Sequence, residues 1–223
     1  MTVSALIAGY LLGSVPASFL VARWGFGVDL RTVGSGNVGA TNALRALGPK
    51  AGIPALVLDA LKGTLAVLVA RWIAPAGGLL GPLGIQLGCG VAAVLGHTFT
   101  IFLGFKGGKG VATGAGVFAA LAPGPFLASL IVFIGTVVAT RWVSLGSILG
   151  AVTLPVWIVL LATEGRATLL SMAVPLALFI VWRHRENLHR MKCGTESRIS
   201  WGGAQLKATT DEGQGEGVRR GQS

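Results

Sequence analysis

Long apolar stretches alternate with short polar stretches along most of this chain. A helix needs about 20 apolar residues to cross a bilayer. Seven stretches approach that length, over residues 2–22, 51–70, 79–103, 111–122, 126–140, 143–162 and 167–182. They lack the alternation of barrel strands, and lipid offers their backbone groups no other partner, so each is predicted to be a helix. The pattern predicts an all-α integral membrane protein with about seven transmembrane helices.

The number of helices depends on one turn. The fourth stretch is short and is separated from the fifth by Ala122-Pro123-Gly124-Pro125. This sequence is typical of a tight turn, but proline can also kink one long helix. Seven helices with a turn and six helices with a kink therefore both remain open.

Composition and charge agree with a membrane protein. Of the 223 residues, 52% are hydrophobic and 12% are charged, and the mean hydropathy is +0.73, well above that of soluble domains. The net charge of +10 would suggest a nucleic-acid partner in a soluble protein. Here the basic residues lie in short segments between apolar stretches, so no nucleic-acid partner is expected. Their positions report topology instead.

The distribution of basic residues predicts an outside N-terminus and an inside C-terminus. With seven crossings, the outer side receives Arg71 and Arg166. The inner side receives Arg23, Arg31, Arg45, Lys50, Lys106, Lys109, Arg141 and the basic segment from Arg183. This asymmetry is the one that the positive-inside rule describes. Residues 1–200 are predicted to form the membrane domain, and residues 201–223 a disordered polar cytoplasmic tail.

Metal and cofactor sites are not predicted. The two cysteines, Cys89 and Cys193, lie far apart in the sequence and form no CxxC pair. The three histidines are not accompanied by clustered cysteines or carboxylates, so the sequence lacks a recognisable ligand set for a metal.

Four polar segments emerge on the inner side under this topology. They cover residues 34–45, 104–113, 141–147 and 183–196. A membrane protein that places its polar, glycine-rich sequence on one face is expected to have its functional site there.

The first segment, GSGNVGATN from Gly34, formally matches the dinucleotide motif GxGxxG. That motif requires a preceding strand and a βαβ unit, whereas predicted membrane helices flank this one, so nucleotide binding is rejected. Successive backbone N–H groups and polar side chains can still surround an anion that Arg45 would hold. The proposed donors are Ser35, Gly36, Asn37, Thr41 and Asn42. The alternative is an ordinary polar loop with helix caps.

The second segment resembles a P-loop but lacks two of its residues. Leu103 replaces the first glycine, and Gly110 replaces the serine or threonine, so ATP hydrolysis is not supported. Two lysines and a glycine pair at the start of a helix nevertheless favour an anion site. Its predicted residues are Lys106, Gly107, Gly108, Lys109 and Gly110. In the alternative interpretation, the lysines merely mark the membrane interface.

Further polar residues lie within and after the predicted helices. His97 is a functional candidate because intramembrane histidines are rare. Asp59 and Lys62, three residues apart, are expected to form a structural ion pair. His184 and Asn187, one turn apart, are expected to hydrogen-bond a polar substrate, although this segment could also be a solvated basic helix end.

Four motifs together resemble the bacterial acyl-phosphate-dependent glycerol-3-phosphate acyltransferases, the PlsY family. They are GSGNVGATNALR, GHTFTIFLGFKGGKGVATGAGV, RWVSLGSILG and HRENLHRMKCGTESRI, within a match from Gly9 to Ile199. The resemblance implies transfer of an acyl group from acyl phosphate to sn-glycerol 3-phosphate, giving lysophosphatidate and phosphate. It also implies a seven-helix enzyme of the bacterial inner membrane with a cytosolic site. The bilayer and the enzyme that supplies acyl phosphate are the other implied partners.

The resemblance also implies roles for individual residues. Ser35, the Gly-Gly-Lys at 107–109 and nearby glycine amides would bind the donor phosphate, and Arg45, Lys109, Ser147, His184 and Asn187 would hold glycerol 3-phosphate. The implied catalytic set is Ser35, Arg45, Lys109, His184 and Asn187. Further implied substrate contacts are Gly36, Asn37, Thr41, Asn42, His97, Lys106, Gly107, Gly108, Gly110, Ser144, Ser147 and Glu196. The chain departs from the family at Thr100, where proline is usual, and in its longer polar tail.

The residues also indicate a mechanism. Acyltransferases that use acyl-CoA or acyl carrier protein rely on a His-x4-Asp pair, but Phe102 and His189 stand five residues after His97 and His184. No nucleophilic triad is suggested either, so the glycerol hydroxyl is expected to attack the acyl carbonyl directly. His184 and the substrate's own phosphate both remain candidates for the general base. The competing hypothesis is a small transporter for a phosphorylated solute.

Overall fold

The computed structural model describes residues 2–74 and 80–199, and this part of the chain is helical without strands. In chain order the helices are α1 (Thr2–Ser14), α2 (Ala17–Phe26), α3 (Ala40–Leu47), α4 (Pro49–Ile73), α5 (Gly81–Thr98), α6 (Val111–Leu121), α7 (Pro123–Thr140), α8 (Val143–Leu161), α9 (Arg166–Arg183) and α10 (Arg185–Lys192). The predicted all-α fold is confirmed. The predicted tail, residues 201–223, lies outside the described residues.

Six helical segments in the described part are long and apolar enough to cross a bilayer. They are α1 and α2 taken together, α4, the segment Gly81–Leu103, α7, α8 and α9. Helix α6 has 11 residues, which span about 17 Å of a hydrocarbon core about 30 Å thick. The number of crossings and the orientation of the termini therefore stay predictions.

Helices α6 and α7 are separate helices. Helix α6 ends at Leu121 and α7 begins at Pro123. Between them Ala122 has φ −147° and ψ 68°, which is not helical. Because proline lacks the N–H that continues a helix, the new helix starts at Pro123. The alternative of one long kinked helix is wrong.

Glycines bring the helix backbones into direct contact. A Cβ atom on Gly13 of α1 would lie 2.1 Å from the carbonyl oxygen of Ala93 in α5. A Cβ atom on Gly116 of α6 would lie 1.9 Å from the carbonyl oxygen of Ala60 in α4. Such close approach gives van der Waals contact without a hydrophobic driving force, as membrane helices require. Gly13 and Gly116 therefore allow these helices to pack closely.

The outward surface of the bundle is apolar. Ile131 of α7 and Leu178 of α9 are 71% and 67% exposed, as expected for side chains that face lipid. Trp24 and Trp72 lie near the ends of α2 and α4 and are also strongly exposed. Tryptophan at helix ends is typical of the bilayer interface.

Helix α3 lies largely within the first polar segment, for which no helix was predicted. Its residues Asn42, Ala43 and Ala46 are buried, whereas Thr41 and Arg45 lie one turn apart on another face. This is the pattern of an amphipathic helix. Helix α3 therefore carries two predicted site residues on one side.

Thr100 makes a structural contact at the end of α5. Its buried hydroxyl donates a hydrogen bond of 2.5 Å to the carbonyl of Ser14, the last residue of α1. The same oxygen accepts a hydrogen bond from the backbone N–H of Phe102. Thr100 thus ties the end of α5 to the break between α1 and α2.

Candidate active site

A cavity of about 330 Å³ opens at one end of the bundle, and all four predicted polar segments contribute to it. The prediction that these segments meet at one end is confirmed. Twelve of the predicted site residues line the cavity: Ser35, Asn37, Thr41, Asn42, Arg45, His97, Lys109, Gly110, Ser144, Ser147, His184 and Asn187. Gly36, Lys106, Gly107, Gly108 and Glu196 do not line it.

Two cationic side chains, from α3 and from the segment before α6, point into this cavity. Arg45 donates through Nη2 to Glu196 at 3.3 Å and to the carbonyl of Ser197 at 2.8 Å. Its Nε is buried and has no hydrogen-bond partner within the described part of the chain. Lys109 donates through Nζ to Oδ1 of Asn187. A buried N–H donor without a partner is costly, so Arg45 is suited to receive an anionic ligand.

Glu196 lies behind the cavity wall and organises it. Its carboxylate accepts hydrogen bonds from Ser144 Oγ at 2.7 Å, Asn187 Nδ2 at 2.7 Å and Arg190 Nε at 2.8 Å. Burial alone would raise the pKa of this carboxyl group, but the hydrogen bonds and the charge of Arg45 lower it to about 2. The predicted role of Glu196 as a substrate contact stays a prediction, and in the structure its oxygens accept hydrogen bonds from protein donors.

The environment of Lys109 lowers the pKa of its ammonium group. Burial lowers the pKa of the ammonium to about 8, and the positive charges of Arg190, Arg45 and Arg183 act in the same direction. Glu196 opposes this shift. The lysine therefore remains mostly charged at neutral pH but loses its proton more readily than an exposed lysine.

His184 is held as a neutral hydrogen-bonding group. Its Nδ1 lies 2.8 Å from the carbonyl oxygen of Ile180, which can only accept, so Nδ1 carries the proton. Burial and the nearby charge of Lys109 lower the pKa of the imidazole to about 4. Near neutral pH, Nε2 is therefore an acceptor available to a substrate hydroxyl.

Several polar groups of the first segment form hydrogen bonds within the turn that precedes α3. Asn42 accepts a hydrogen bond from the backbone N–H of Ser35 at 3.0 Å, and its amide donates to the carbonyls of Leu30 and Val33. The N–H of Gly36 donates to Val33 as well. Asn42 and Gly36 were predicted to bind substrate, and that role stays a prediction; in the structure their polar groups stabilise the loop before α3. The Ser35 hydroxyl keeps its position at the cavity.

The second polar segment also differs from its predicted arrangement. The N–H groups of Gly107 and Gly108 donate to the carbonyls of Thr98 and His97 at 2.9 and 3.1 Å. These bonds anchor the segment to α5. Lys106 is exposed and does not line the cavity. The predicted substrate contacts of these three residues stay predictions.

Two helix N-termini face the cavity instead. Gly110 has φ +81°, a conformation that glycine adopts readily, and α6 begins directly after it. Gly39 directly precedes α3. Residues at both helix starts line the cavity. The first N–H groups of a helix have no partner within it, and the helix dipole favours an anion there.

A second, apolar cavity of about 310 Å³ adjoins the first. The two share the residues Leu56, Val111, Ala112, Phe133 and Ser147. From Ser147 the apolar lining continues along α8 to Leu154, which corresponds to about 10 Å of helix. Its walls come from five helices whose small and aliphatic residues have no distinctive sequence signature.

Asp59 is a cavity residue whose placement the sequence analysis missed. It was predicted to pair with Lys62, and that ion pair is confirmed at 2.9 Å. It also lines the polar cavity beside His97.

In the described part of the chain, no group of three or more His, Cys, Asp or Glu side chains is positioned to hold a metal ion.

Comparison with known proteins decides the family. The family model for glycerol-3-phosphate acyltransferase matches residues 3–194. The chain belongs to the glycerol-3-phosphate acyltransferase family. It is 47% identical over 190 residues to the glycerol-3-phosphate acyltransferase of Geobacter sulfurreducens, covering 85% of this chain and 93% of that one. The corresponding protein of Desulforamulus reducens is 46% identical over 198 residues, covering 89% of this chain and 95% of the relative.

Solved structures agree with the sequence relatives. The crystal structure of PlsY, an integral membrane glycerol 3-phosphate acyltransferase in its glycerol 3-phosphate form, matches with a TM-score of 0.80 and 40% identity, covering 89% of this chain and 96% of that one. Its lysophosphatidic acid form matches with a TM-score of 0.78 and 39% identity, covering 89% and 95%. The resemblance drawn from the motifs is confirmed. The protein is an integral membrane acyltransferase of phospholipid synthesis.

We expect kcat/KM for glycerol 3-phosphate to fall as the pH rises above about 8, because the Lys109 ammonium is then lost. Initial rates of the acyltransferase from about pH 6 to about pH 9.5 should show an alkaline limb with the slope of one proton. The variant Lys109→Arg keeps its charge and should move the limb beyond this range. An unchanged limb in that variant would assign the titration to another group.

Proposed function

We propose that this enzyme transfers an acyl group from acyl phosphate directly to sn-glycerol 3-phosphate, giving lysophosphatidate and phosphate. The observation that carries the proposal is the continuity of a cationic cavity with an apolar one. A reaction between a phosphorylated polyol and a phosphorylated fatty acyl chain needs both environments at the point of transfer. Phe133 and Ser147 border both cavities and mark that point.

Glycerol 3-phosphate is assigned to the side of the cavity formed by α3 and α10. Arg45 offers its unpartnered Nε and Lys109 its ammonium to the phosphate. His184 offers a neutral Nε2, and Asn187 an amide oriented by Glu196, to the hydroxyl groups. Charge-assisted hydrogen bonds of this kind hold a phosphate firmly while neutral groups orient the hydroxyl that reacts.

The phosphate of the acyl donor is assigned to the two helix N-termini. The starts of α3 and α6 and the Ser35 hydroxyl line the same cavity. Unpaired N–H groups and helix dipoles stabilise the charge that grows on phosphate as it leaves. The acyl chain then follows the apolar cavity from Phe133 towards Leu154, so the carbonyl carbon lies between the two phosphates.

The chemical step is a direct acyl transfer. The 1-hydroxyl oxygen of glycerol 3-phosphate bonds to the acyl carbon, the bond from that carbon to the phosphate oxygen breaks, and phosphate leaves with the electron pair. The hydroxyl proton needs an acceptor. His184, with a pKa of about 4, is a weak base, whereas a phosphate monoester has a second pKa of about 6 and is roughly a hundredfold more basic. The phosphate of glycerol 3-phosphate is therefore the proposed general base.

The site is proposed to face the cytosol of the bacterial inner membrane. Arg45, Lys109 and Arg190 all lie at the cavity end of the bundle. Positive residues collect on the cytoplasmic side of bacterial membrane proteins. This assignment gives the N-out, C-in orientation, and it presents the cavity to an enzyme that supplies acyl phosphate.

The first experiment tests the donor. Detergent-purified enzyme receives palmitoyl phosphate or palmitoyl-CoA with labelled glycerol 3-phosphate, beside Lys109→Ala and the control Lys106→Ala. We expect lysophosphatidate from palmitoyl phosphate alone, a loss of roughly a hundredfold or more in Lys109→Ala, and little change in Lys106→Ala because Lys106 lies outside the cavity. Product from palmitoyl-CoA would overturn the donor assignment. No product from either donor would overturn the proposed reaction, and the family assignment already argues against the transporter hypothesis.

The assignment of the base predicts the kinetics of His184→Ala. Losing one hydrogen bond to the substrate should raise KM for glycerol 3-phosphate about tenfold and leave kcat nearly normal. His189→Ala, a change of the same type at an exposed position on α10, should have wild-type kinetics. A collapse of kcat with an unchanged KM in His184→Ala would instead make the imidazole the base.

The apolar cavity predicts a change of chain-length preference. Ala151 of α8 lines this cavity, and phenylalanine there would occupy space proposed for the distal part of the acyl chain. Ala151→Phe should favour short acyl phosphates over palmitoyl phosphate by about tenfold, the discrimination that a few methylene groups provide. The control is Val152→Phe, because Val152 follows Ala151 in α8 and is exposed. This variant should keep the wild-type preference. An unchanged preference in Ala151→Phe would place the chain elsewhere.

A further inference from the structure

A buried polar cluster lies between α2, α4 and α5, next to the substrate cavity. The carboxylate of Asp59 is 1% exposed and accepts a hydrogen bond of 2.5 Å from Ser18 Oγ. Lys62 lies 2.9 Å from its other oxygen and also donates to the carbonyl of Val15. The ion pair explains how each charge is tolerated in a membrane protein. It does not explain why either charge is present, because an apolar pair is usually at least as stable.

The cluster has a third member that connects it to the site. His97, near the end of α5, places Nδ1 3.5 Å from Oδ1 of Asp59. A carboxylate at this position favours a proton on Nδ1 and orients the imidazole, as in carboxylate–histidine pairs elsewhere. The opposite edge of the ring, with Nε2, is thereby directed away from Asp59.

That opposite edge lies against the backbone before Lys109. A Cβ atom on Gly108 would lie 2.1 Å from His97 Nε2, so no side chain fits between them. The backbone carbonyl of His97 accepts the N–H of Gly108 at 3.1 Å. From α9, Arg183 donates to the carbonyl of Gly108 at 3.0 Å. The residue before Lys109 is thus enclosed by His97 and Arg183.

Asp59 also contacts the helix that follows this segment. Its backbone carbonyl accepts a hydrogen bond of 3.0 Å from the buried hydroxyl of Thr113 in α6. The Asp59 carboxylate therefore reaches the side before Lys109 through His97, whereas its backbone carbonyl, which any residue would supply, holds the first turn of α6 through Thr113.

We propose that Asp59 and His97 are positioning residues that hold the Gly108–Lys109 backbone against α5, so that the Lys109 ammonium and the start of α6 face the substrate phosphates. Neither residue is required to touch the reacting atoms. The inference rests on the proposed function only in that Lys109 binds a substrate phosphate. A displaced Lys109 weakens phosphate binding and misaligns the reacting groups, and misplacement of about 1 Å can cost as much as a hundredfold in rate.

The first test removes the charges as a pair. Asp59→Asn combined with Lys62→Met leaves no unpaired charge buried, so this variant should fold. If Asp59 only neutralised Lys62, the double variant would have wild-type kinetics, and that result would overturn the proposal. We expect instead a fall of roughly tenfold or more in kcat/KM for glycerol 3-phosphate. We also expect the alkaline limb of the pH profile to move upwards, because a displaced Lys109 becomes more solvated.

The second test does not depend on the folding of that variant. It is a cycle of His97→Ala, Gly108→Ala and their combination, with kcat and KM measured for each. Gly108→Ala places a Cβ where the imidazole lies, and should reduce kcat/KM by roughly tenfold or more. Because His97 acts through this contact, the combined variant should be no worse than the more damaged single variant. Losses that multiply in the combined variant would show that His97 acts independently of Gly108, and would overturn the proposal.

All rates are compared with wild-type enzyme and the donor that supports its turnover. Wild-type enzyme that is inactive with acyl phosphate would contradict the proposed donor. Multiplicative losses with an active wild type would contradict the positioning role alone.

Discussion

Repulsion between cations is the constraint on which this active site depends. Arg45, Lys109 and Arg190 converge at one end of the bundle, and burial removes much of the water that would screen them. The Glu196 carboxylate holds this arrangement, because it is bonded to Arg45 and Arg190 and orients the Asn187 amide that accepts from Lys109. The carboxylate compensates only part of the positive charge. The remainder is available to the phosphate of glycerol 3-phosphate.

The membrane imposes a second constraint, since the reaction joins a water-soluble phosphate to a fatty chain. The bundle meets it by placing the cationic cavity at its end and the apolar cavity between its helices, with Phe133 and Ser147 at the junction. Close helix contacts, such as Gly116 against Ala60, keep the packing tight around this space. Inside the bundle, the buried charges of Asp59 and Lys62 form an ion pair.

Much of the site was predictable because the relevant residues occur in short polar segments. Ser35, Arg45, Lys109, His184 and Asn187 stand out against apolar sequence, and all line the cavity. Other predicted residues of the same chemical types have hydrogen bonds that are satisfied within the protein. Asn42 holds the turn before α3, Gly107 is bonded to α5, and Glu196 reaches back across the fold to Arg45. A sequence shows that a group can donate or accept, but not which partner it has.

The sequence by itself determined the helical fold, the grouping of the polar segments and the family. Each follows from local properties: apolar length requires a helix in lipid, and motifs in order identify relatives. Tertiary structure decided which polar groups the protein itself bonds, where an apolar cavity lies and how Asp59 is placed beside His97 and the backbone before Lys109. These features depend on contacts between residues distant in sequence. The walls of the apolar cavity are ordinary aliphatic residues, and the cavity forms only when five helices pack together.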